Sequence, residues 1–306
     1  MPQLTRQQLA GTFNAGDLWQ KSAPRAREGH YRMPSYRFCR PDDLTLIVRA
    51  INACYRMHYP DEPEMTEERL KEQMTLFDVR PGNCMVALER QQPVGVVVST
   101  RRDYGTWIQA VGCQPAFQRR GIATQLVEAL IQKIAIQRAP IVTVDVPADH
   151  APAVRFFESL DFTVRGHYVS YHGPLPEPTQ TPGRLEPVPA PDLLAYYPQC
   201  HTALACWERN AESLAGYGTL PQGYAYSAQG TLQGYLIHWG STILDLAIAP
   251  QADTERVSAA LLGHMRTAGS VHATLAKVPQ DEPIGPVLAR LGFTPVQDYL
   301  LMGQEL

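Results

Sequence analysis

The chain reads as an α/β protein of the α+β type: two tandem copies of one unit, each a mixed β-sheet flanked by helices. Three observations predict this. The order β-α-α-β-β-β-α-β-α-β can be drawn twice along the 306 residues, which is length enough for two domains. Residues 173–191 between the copies are rich in proline and poor in apolar residues, a linker composition. Matching pieces recur at nearly constant spacing: Leu160-Asp161-Phe162 and Leu291-Gly292-Phe293 are 131 residues apart, and Pro115 and Pro250 are 135 apart. The expected organisation is an N-terminal extension (1–35), a first domain (36–172), the linker (173–191) and a second domain (192–306), whose first strand can start near 184.

Each element has its own reason. Residues 5–20 carry a helical pattern in the extension. Residues 36–40 alternate as a strand, and Pro41-Asp42-Asp43 then opens a helix to about residue 55. Residues 56–63 hold too many turn formers to be regular. Thr66 is an N-cap for a helix to about 77, with Glu68 and Lys71 on its wet side. Strands follow at 84–90, at 94–100 after the turn Gln91-Gln92-Pro93, and at 107–113. In the helix to about 138, Ile122, Leu126, Leu130 and Ile134 recur every four residues, so one face is apolar. A β-branched strand (141–146), a short helix (151–160) and a strand (163–171) close the first copy. The second copy offers strands at 184–188, 223–228, 232–239, 243–248, 273–278 and 296–302. Its helices are expected at 192–202, 207–214, 254–268 and 284–291.

Composition narrows the function classes. The apolar fraction is 44% and the charged fraction 19%, as in an ordinary globular protein. A net charge of −3 argues against nucleic acid or a membrane surface as partner. No apolar run approaches the roughly 18 residues of a membrane span, and residues 1–13 lack a signal-peptide core, so a cytoplasmic protein, monomer or homodimer, is expected. The six cysteines (Cys39, Cys54, Cys84, Cys113, Cys200, Cys206) show no metal spacing, and the histidines form no His-Glu-x-x-His; no metal site is expected.

The stretch from Cys113 to Thr124 carries the chemistry. A strand, a basic turn with Arg119 and Arg120, and a helix starting at Gly121 make an anion cradle. The unpaired N–H groups of a helix's first turn point at whatever sits there, and the dipole favours negative charge. Gly121 permits close backbone approach and Thr124 adds a hydroxyl.

Gln118-Arg119-Arg120-Gly121-Ile122-Ala123, with Pro115 just upstream, resembles the Gln/Arg-x-x-Gly-x-Gly/Ala signature of the GNAT superfamily of acetyl-CoA-dependent acetyltransferases. A second block, His150-Ala-Pro-Ala153-Val-Arg-Phe156-Phe157-Glu-Ser-Leu160-Asp161-Phe162, resembles that family's Asn-x-x-Ala-x-x-Phe-Tyr-x-x-x-Gly-Phe. The resemblance covers about residues 36–172. It implies a sheet splayed between its fourth and fifth strands, with acetyl-CoA in the opening. The cofactor's arm would pair with backbone near Val111, Gly112 and Cys113. Its pyrophosphate would sit on the amides of Arg119, Arg120, Gly121, Ile122, Ala123 and Thr124; Gln118 and Phe157 would also contact the cofactor, and His150 stands where the family's Asn contacts its arm.

Acetyl transfer to an amine requires a base, because only the neutral amine attacks. Asp145, in an apolar β-run, holds the register that a Glu base takes in the N-terminal acetyltransferases this domain resembles. Asp103, Tyr104, His58 and Tyr59 are secondary candidates. The resemblance assigns the thioester oxyanion to the backbone N–H of Cys113. Nothing at usable spacing would activate the Cys113 thiol as a nucleophile. His150 stands where the family has Asn, either as a titrating group and hydrogen-bond donor or as a helix cap. Phe157 stands where the family commonly has an acidic Tyr and has no proton to give. Water or another hydroxyl such as Tyr168 or Tyr171 could protonate the thiolate, no acid could be needed, or the domain could be an acyl-CoA-binding sensor with little catalysis. An acetyltransferase acting on a small-molecule or peptide amine is the leading expectation. Asp61, Glu62 and Glu64 in one loop would suit a cationic acceptor but equally a solvated loop.

In the second copy the turn register reads Asp253-Thr-Glu255-Arg256-Val-Ser258, with Arg in place of the glycine and two carboxylates facing any pyrophosphate. Leu288 holds the Tyr position. This copy reads as a degenerate GNAT domain that has kept its packing and lost the cofactor.

Overall fold

The computed structural model describes residues 33–55, 63–178, 182–267 and 269–306. The helix expected at 5–20, and His58, Tyr59, Asp61 and Glu62, lie outside the described residues. The chain divides into two compact units, Met1–Arg165 with Leu300–Leu306, and Gly166–Tyr299.

In the first unit, β1 (Ser35–Phe38), α1 (Leu44–Tyr55), α2 (Glu67–Phe77), β2 (Met85–Glu89), β3 (Gln92–Ser99), β4 (Thr106–Cys113), α3 (Ile122–Ile136), β5 (Ile141–Pro147) and α4 (Ala151–Glu158) follow the expected order. Thr66 caps α2, its hydroxyl accepting from the Arg69 N–H at 3.2 Å. The hairpin between β2 and β3 turns at Arg90 and Gln91, both with positive φ, rather than at 91–93. Two left-handed residues match the twist of the flanking strands, which leaves Gln92 and Pro93 inside β3.

Strands β1 to β4 are antiparallel neighbours in sequence order, and β5 joins β4 in parallel. That last pairing covers only Thr106–Ile108 with Val142–Val144, so the two strands part beyond Ile108 and Val144. The core lies on both faces of the sheet. Leu126, Leu130 and Ile134 of α3 and Phe157 of α4 cover one face, and Ile47, Ile51 and Leu70 of α1 and α2 cover the other. Each such fully buried side chain contributes roughly 1.5–3 kcal/mol. Gly95 in β3 sets the helix height: a Cβ there would meet Ile122 Cγ2 at 2.7 Å, so only glycine lets the start of α3 sit this close to the sheet. Residues 300–306, the end of β12 (Thr294–Glu305) and the chain terminus, complete this unit, with Met302 fully buried in the α3–α4 core.

The second unit contains most of β6 (Thr163–Pro174), then β7 (Arg184–Pro187), α5 (Ala190–Leu193), α6 (Tyr197–Cys200), α7 (Ala211–Gly216), β8 (Gln222–Ala228), β9 (Thr231–Trp239), β10 (Thr242–Ile248), α8 (Thr254–Thr267), β11 (His272–Pro279), α9 (Ile284–Arg290) and the start of β12. The helix expected at 192–202 is two short pieces joined by a 3-10 turn, with Pro198 in the first turn of α6. A proline there has no N–H to continue the ladder. The helix expected at 207–214 is likewise split. Asn210 is extended, and its side chain caps Ser213 to start α7. Strands β7 to β10 are antiparallel neighbours, and β10 pairs with β11 in parallel only at Thr242–Thr274 and Ile243–Leu275 before parting. Each unit is thus a mixed sheet that opens between a parallel pair of strands.

Candidate active site

The end of β4 and the start of α3 form a cradle. After Cys113 the chain makes a 3-10 turn (Pro115–Phe117), Gln118 is extended, and Arg119 and Gly121 take left-handed backbones, φ 60° and 75°. Gly121 is the N-cap of the 15-residue α3 and supplies no side-chain cap. The first-turn amides of α3 therefore open outward instead of being satisfied by their own helix. A Cβ on Gly121 would meet nothing within 4 Å, so the space over the turn is open to a ligand. A pocket of about 240 Å³ lies there, bounded by Gly112, Cys113, Gln118, Arg119, Gly121, Ile122, Ala123 and Thr124. Phe117 and Phe156 are its apolar walls, and the Arg120 guanidinium sits 5.1 Å from the centre of the Phe117 ring.

The backbone of β4 opens toward the same gap. The Gln114 N–H donates to the Val94 carbonyl at 3.0 Å, and the register pairs Gly95 with Cys113 and Val97 with Val111. Antiparallel pairs alternate between bonded and non-bonded, so Val111 and Cys113 turn their N–H and C=O groups away from β3. They face the edge where β5 has already parted. The Tyr55 hydroxyl donates to the Val111 carbonyl at 3.3 Å and fixes one of these groups. Burial pushes the Cys113 thiol up to about 12, against a smaller opposing effect of the Ala123 amide beside its sulfur, so it stays protonated.

The other expected residues divide. Asp145 is 1% exposed and is the first residue of β5 beyond the paired segment. His150 is the N-cap of α4, and its Nδ1 accepts from the Ala153 N–H at 3.1 Å. Burial holds its pKa below the usual imidazole value. The ring is therefore neutral near pH 7, with its proton on Nε2, a buried donor that finds no acceptor. Phe157, expected beside the cofactor, is fully buried in the core between Phe156 and Phe162, at 5.0 and 5.2 Å between ring centres; Phe156 takes the pocket wall instead. Asp103 and Tyr104 precede β4 and lie at the far end of that strand from Cys113, roughly 24 Å along an extended chain. Tyr168 and Tyr171 belong to the second unit. Among the residues not anticipated, Phe117 and Tyr55 had no signal beyond ordinary apolar periodicity.

The second unit closes the corresponding places. At the start of α8 the Asp253 carboxylate accepts from the Arg256 N–H at 3.0 Å, so the helix caps itself, and Arg290 pairs with Glu255 at 2.6 Å. Asp245 of β10 is fully buried and held by Arg209 at 3.1 Å, the Tyr235 hydroxyl at 2.8 Å and His201 Nε2 at 3.1 Å.

Residues 45–162 match the Acetyltransferase (GNAT) family. A mycothiol acetyltransferase from Brachybacterium faecium is 28% identical over 125 residues, which are 39% of this chain and 38% of that protein, so the match spans little more than a third of either. Three solved structures are similar over most of the chain. A putative acetyltransferase from Pyrococcus horikoshii has a TM-score of 0.60 at 18% identity, over 92% of this chain and 93% of its own. A GCN5-related N-acetyltransferase from Sphaerobacter thermophilus has a TM-score of 0.63 at 17% identity, over 89% and 95%. A tandem GNAT protein from the clavulanic acid biosynthesis pathway has a TM-score of 0.61 at 13% identity, over 89% and 98%. At these identities the structures speak to the fold. Residues 45–162 thus match the GNAT acetyltransferase family, and the chain as a whole has a fold similar to that of a tandem GNAT protein.

Proposed function

We propose that this protein is an N-acetyltransferase that moves an acetyl group from acetyl-CoA to an amine of a small molecule or peptide, using the first unit alone. The observation that carries the reading is the uncapped start of α3 at Gly121, opening on the same pocket as the end of β4. The pyrophosphate would lie on the amides of residues 119–124, with Gln118, Arg119 and Arg120 around it. The arm would run along Val111, Gly112 and Cys113, and the His150 Nε2–H would donate to it. The Asp145 carboxylate takes a proton from the acceptor's ammonium, and the neutral nitrogen attacks the thioester carbon. The oxygen becomes an oxyanion facing the Cys113 N–H; the attacking nitrogen releases its second proton to solvent as the C–S bond breaks, giving the neutral amide and the coenzyme A thiolate. Solvent protonates that thiolate, because Phe157 has no proton to offer. No metal takes part, nucleic acid and membranes are not partners, and the protein works in the cytoplasm as a monomer or homodimer. Among the described residues, no helix is long and apolar enough to cross a membrane.

Calorimetric titration with acetyl-CoA tests the cradle. A β-branched residue at a φ of 75° is strained by about 1–3 kcal/mol, and its side chain fills the space above the turn. Gly121→Val should weaken acetyl-CoA binding at least tenfold, and unchanged affinity would refute the assignment. The burial of Phe157 favours one second reading, an acyl-CoA-binding sensor with little turnover. Tight acetyl-CoA binding without amine-dependent thiol release would select the sensor.

A further inference from the structure

The splayed edge of β4 begins at a bulge, and the residue in the bulge is a glutamine. Val98 pairs with Ala110 and Ser99 with Ile108, so Gln109 is the extra residue. Its side chain is buried, the residue being 3% exposed, and neither Oε1 nor Nε2 has a hydrogen-bond partner. Buried amides are nearly always bonded, because the lost hydration is otherwise uncompensated. A core position with no polar duty would hold an apolar residue of similar volume at lower free energy.

Its place in the fold suggests what the amide is for. Ile108 and Val144, the last paired residues of β4 and β5, both belong to the core on the α3 side. The residues after them, Gln109 and Asp145, therefore share the opposite face. Trp107 and Ala110 mark that face: Trp107 packs edge-on to Phe77 of α2, and Ala110 joins the core beneath α1 and α2. Gln109 and Asp145 thus fall at matching positions on one face, the first beyond the paired segment. The second unit has the same bulge in β10, between Ile243 and Asp245. There the extra residue, the counterpart of Gln109, is the apolar Leu244, and the polar residue after it, Asp245, is paired with β9 and held by Arg209, Tyr235 and His201. The unit with the open cradle carries an unbonded amide in its bulge, and the unit with the closed cradle carries an apolar side chain there.

We propose that Gln109 is a specificity residue that holds the acceptor through a carboxamide or peptide group next to its reactive amine. The inference rests on the acetyltransferase reading of this same site. The orphan side chain offers one acceptor and one donor in a plane, and an amide presents the complementary pair. A polyamine, with donors only, would leave Oε1 satisfied and Nε2 orphaned. A simple alkylamine would satisfy neither. In this arrangement the acceptor's ammonium lies toward Asp145 and its neighbouring amide lies on Gln109.

The test compares wild type with Gln109→Leu and Gln109→Met on four amines: glycinamide, alaninamide, ethylamine and putrescine. Acetyl-CoA dissociation constants and melting temperatures are measured beside kcat/KM. The expected wild type favours the two amino amides over ethylamine and putrescine by at least about tenfold. In the variants that preference collapses, chiefly through KM, while acetyl-CoA affinity is kept and the melting temperature is equal or higher. A rise in melting temperature is the mark of a group retained for a ligand, since a structural amide would lower it on removal. The proposal is overturned if wild type shows no amide preference, if the variants keep it, or if both variants fail to fold. If wild type binds acetyl-CoA but acetylates none of the four amines, the acceptor class is wrong. If wild type does not bind acetyl-CoA at all, the underlying enzyme reading falls with it.

Discussion

At the scale of single residues, the proposed site divides into groups that would hold acetyl-CoA by backbone and groups that would act by side chain. The first kind is legible in sequence, because the Gln118–Ala123 turn and the His150–Phe162 block occur together at the spacing the fold requires. Gly121 does stand uncapped at φ 75° over the pocket. The second kind depends on packing. Phe156 and Phe157 lie on the same side of a helical wheel, and only the wedge of Phe157 between Phe156 and Phe162 decides which ring faces the pocket. Packing likewise lets His150 double as cap and donor, since the Ala153 N–H on its Nδ1 leaves the proton on Nε2. Asp145 is the residue whose role is most exposed to experiment. Asp145→Asn keeps the shape and removes the proposed base, so turnover should fall by about 10²–10⁴-fold at neutral pH while acetyl-CoA binding persists. A rate unchanged across the pH range would exclude Asp145 as base. Recovery of the rate at high pH, where the amine is already neutral, would support it.

Among elements, the strands were the most legible and the short helices of the second unit the least. Strand order and extent follow from alternation and β-branching, whereas a proline or asparagine within a helical pattern can break it, as Pro198 and Asn210 do. What ties those short elements down is a buried ionic network, invisible to periodicity because its members are far apart in sequence. His201, just after α6, places Nε2 on Asp245 of β10 at 3.1 Å and Nδ1 on Glu282, just before α9, at 2.8 Å. Burial alone would lower the His201 pKa; the charge and hydrogen bond of Asp245, then those of Glu282, overcome it and raise the value to about 9. Asp245, although burial opposes its charge, is held below the usual carboxylate range by His201 and Arg209. The sign follows from linkage. A folded-state pKa above the ordinary 6.5 gives stability that is complete below pH 6.5 and lost as pH rises through about 9. The full contribution is on the order of 3 kcal/mol. The second unit should therefore melt progressively lower between pH 7 and pH 10. In His201→Gln that slope should flatten, and a slope identical to wild type would show that another group titrates.

For the whole molecule, the chain's end matters more than its composition suggests. The repeat and the Pro-rich segment 173–191 invite a division into two independent halves, yet residues 300–306 pack with the first unit. Met302 is fully buried among the side chains of α3, α4 and β5. The Leu306 N–H donates to the Pro140 carbonyl at 3.1 Å, and the Thr163 hydroxyl to the Gly303 carbonyl at 3.4 Å. Gly303 is also tight, since a Cβ there would meet Ile141, Thr143 and Arg165 side chains at 3.3 Å. Periodicity identifies such a strand but not the unit it joins, because that choice depends on contacts formed more than a hundred residues apart. A chain cut in the 173–191 segment, or ended at residue 299, would leave the first unit without this cover, so β5 would gain an exposed edge and the core a cavity. Met302→Ala isolates the core part of that loss and should cost about 2–5 kcal/mol in denaturant unfolding of the first unit. Ending the chain at 299 should cost more and abolish acetyl-CoA binding, although every cradle residue is still present. A chain ended at 299 that bound acetyl-CoA as the full protein does would mean that residues 33–165 hold the cradle unaided.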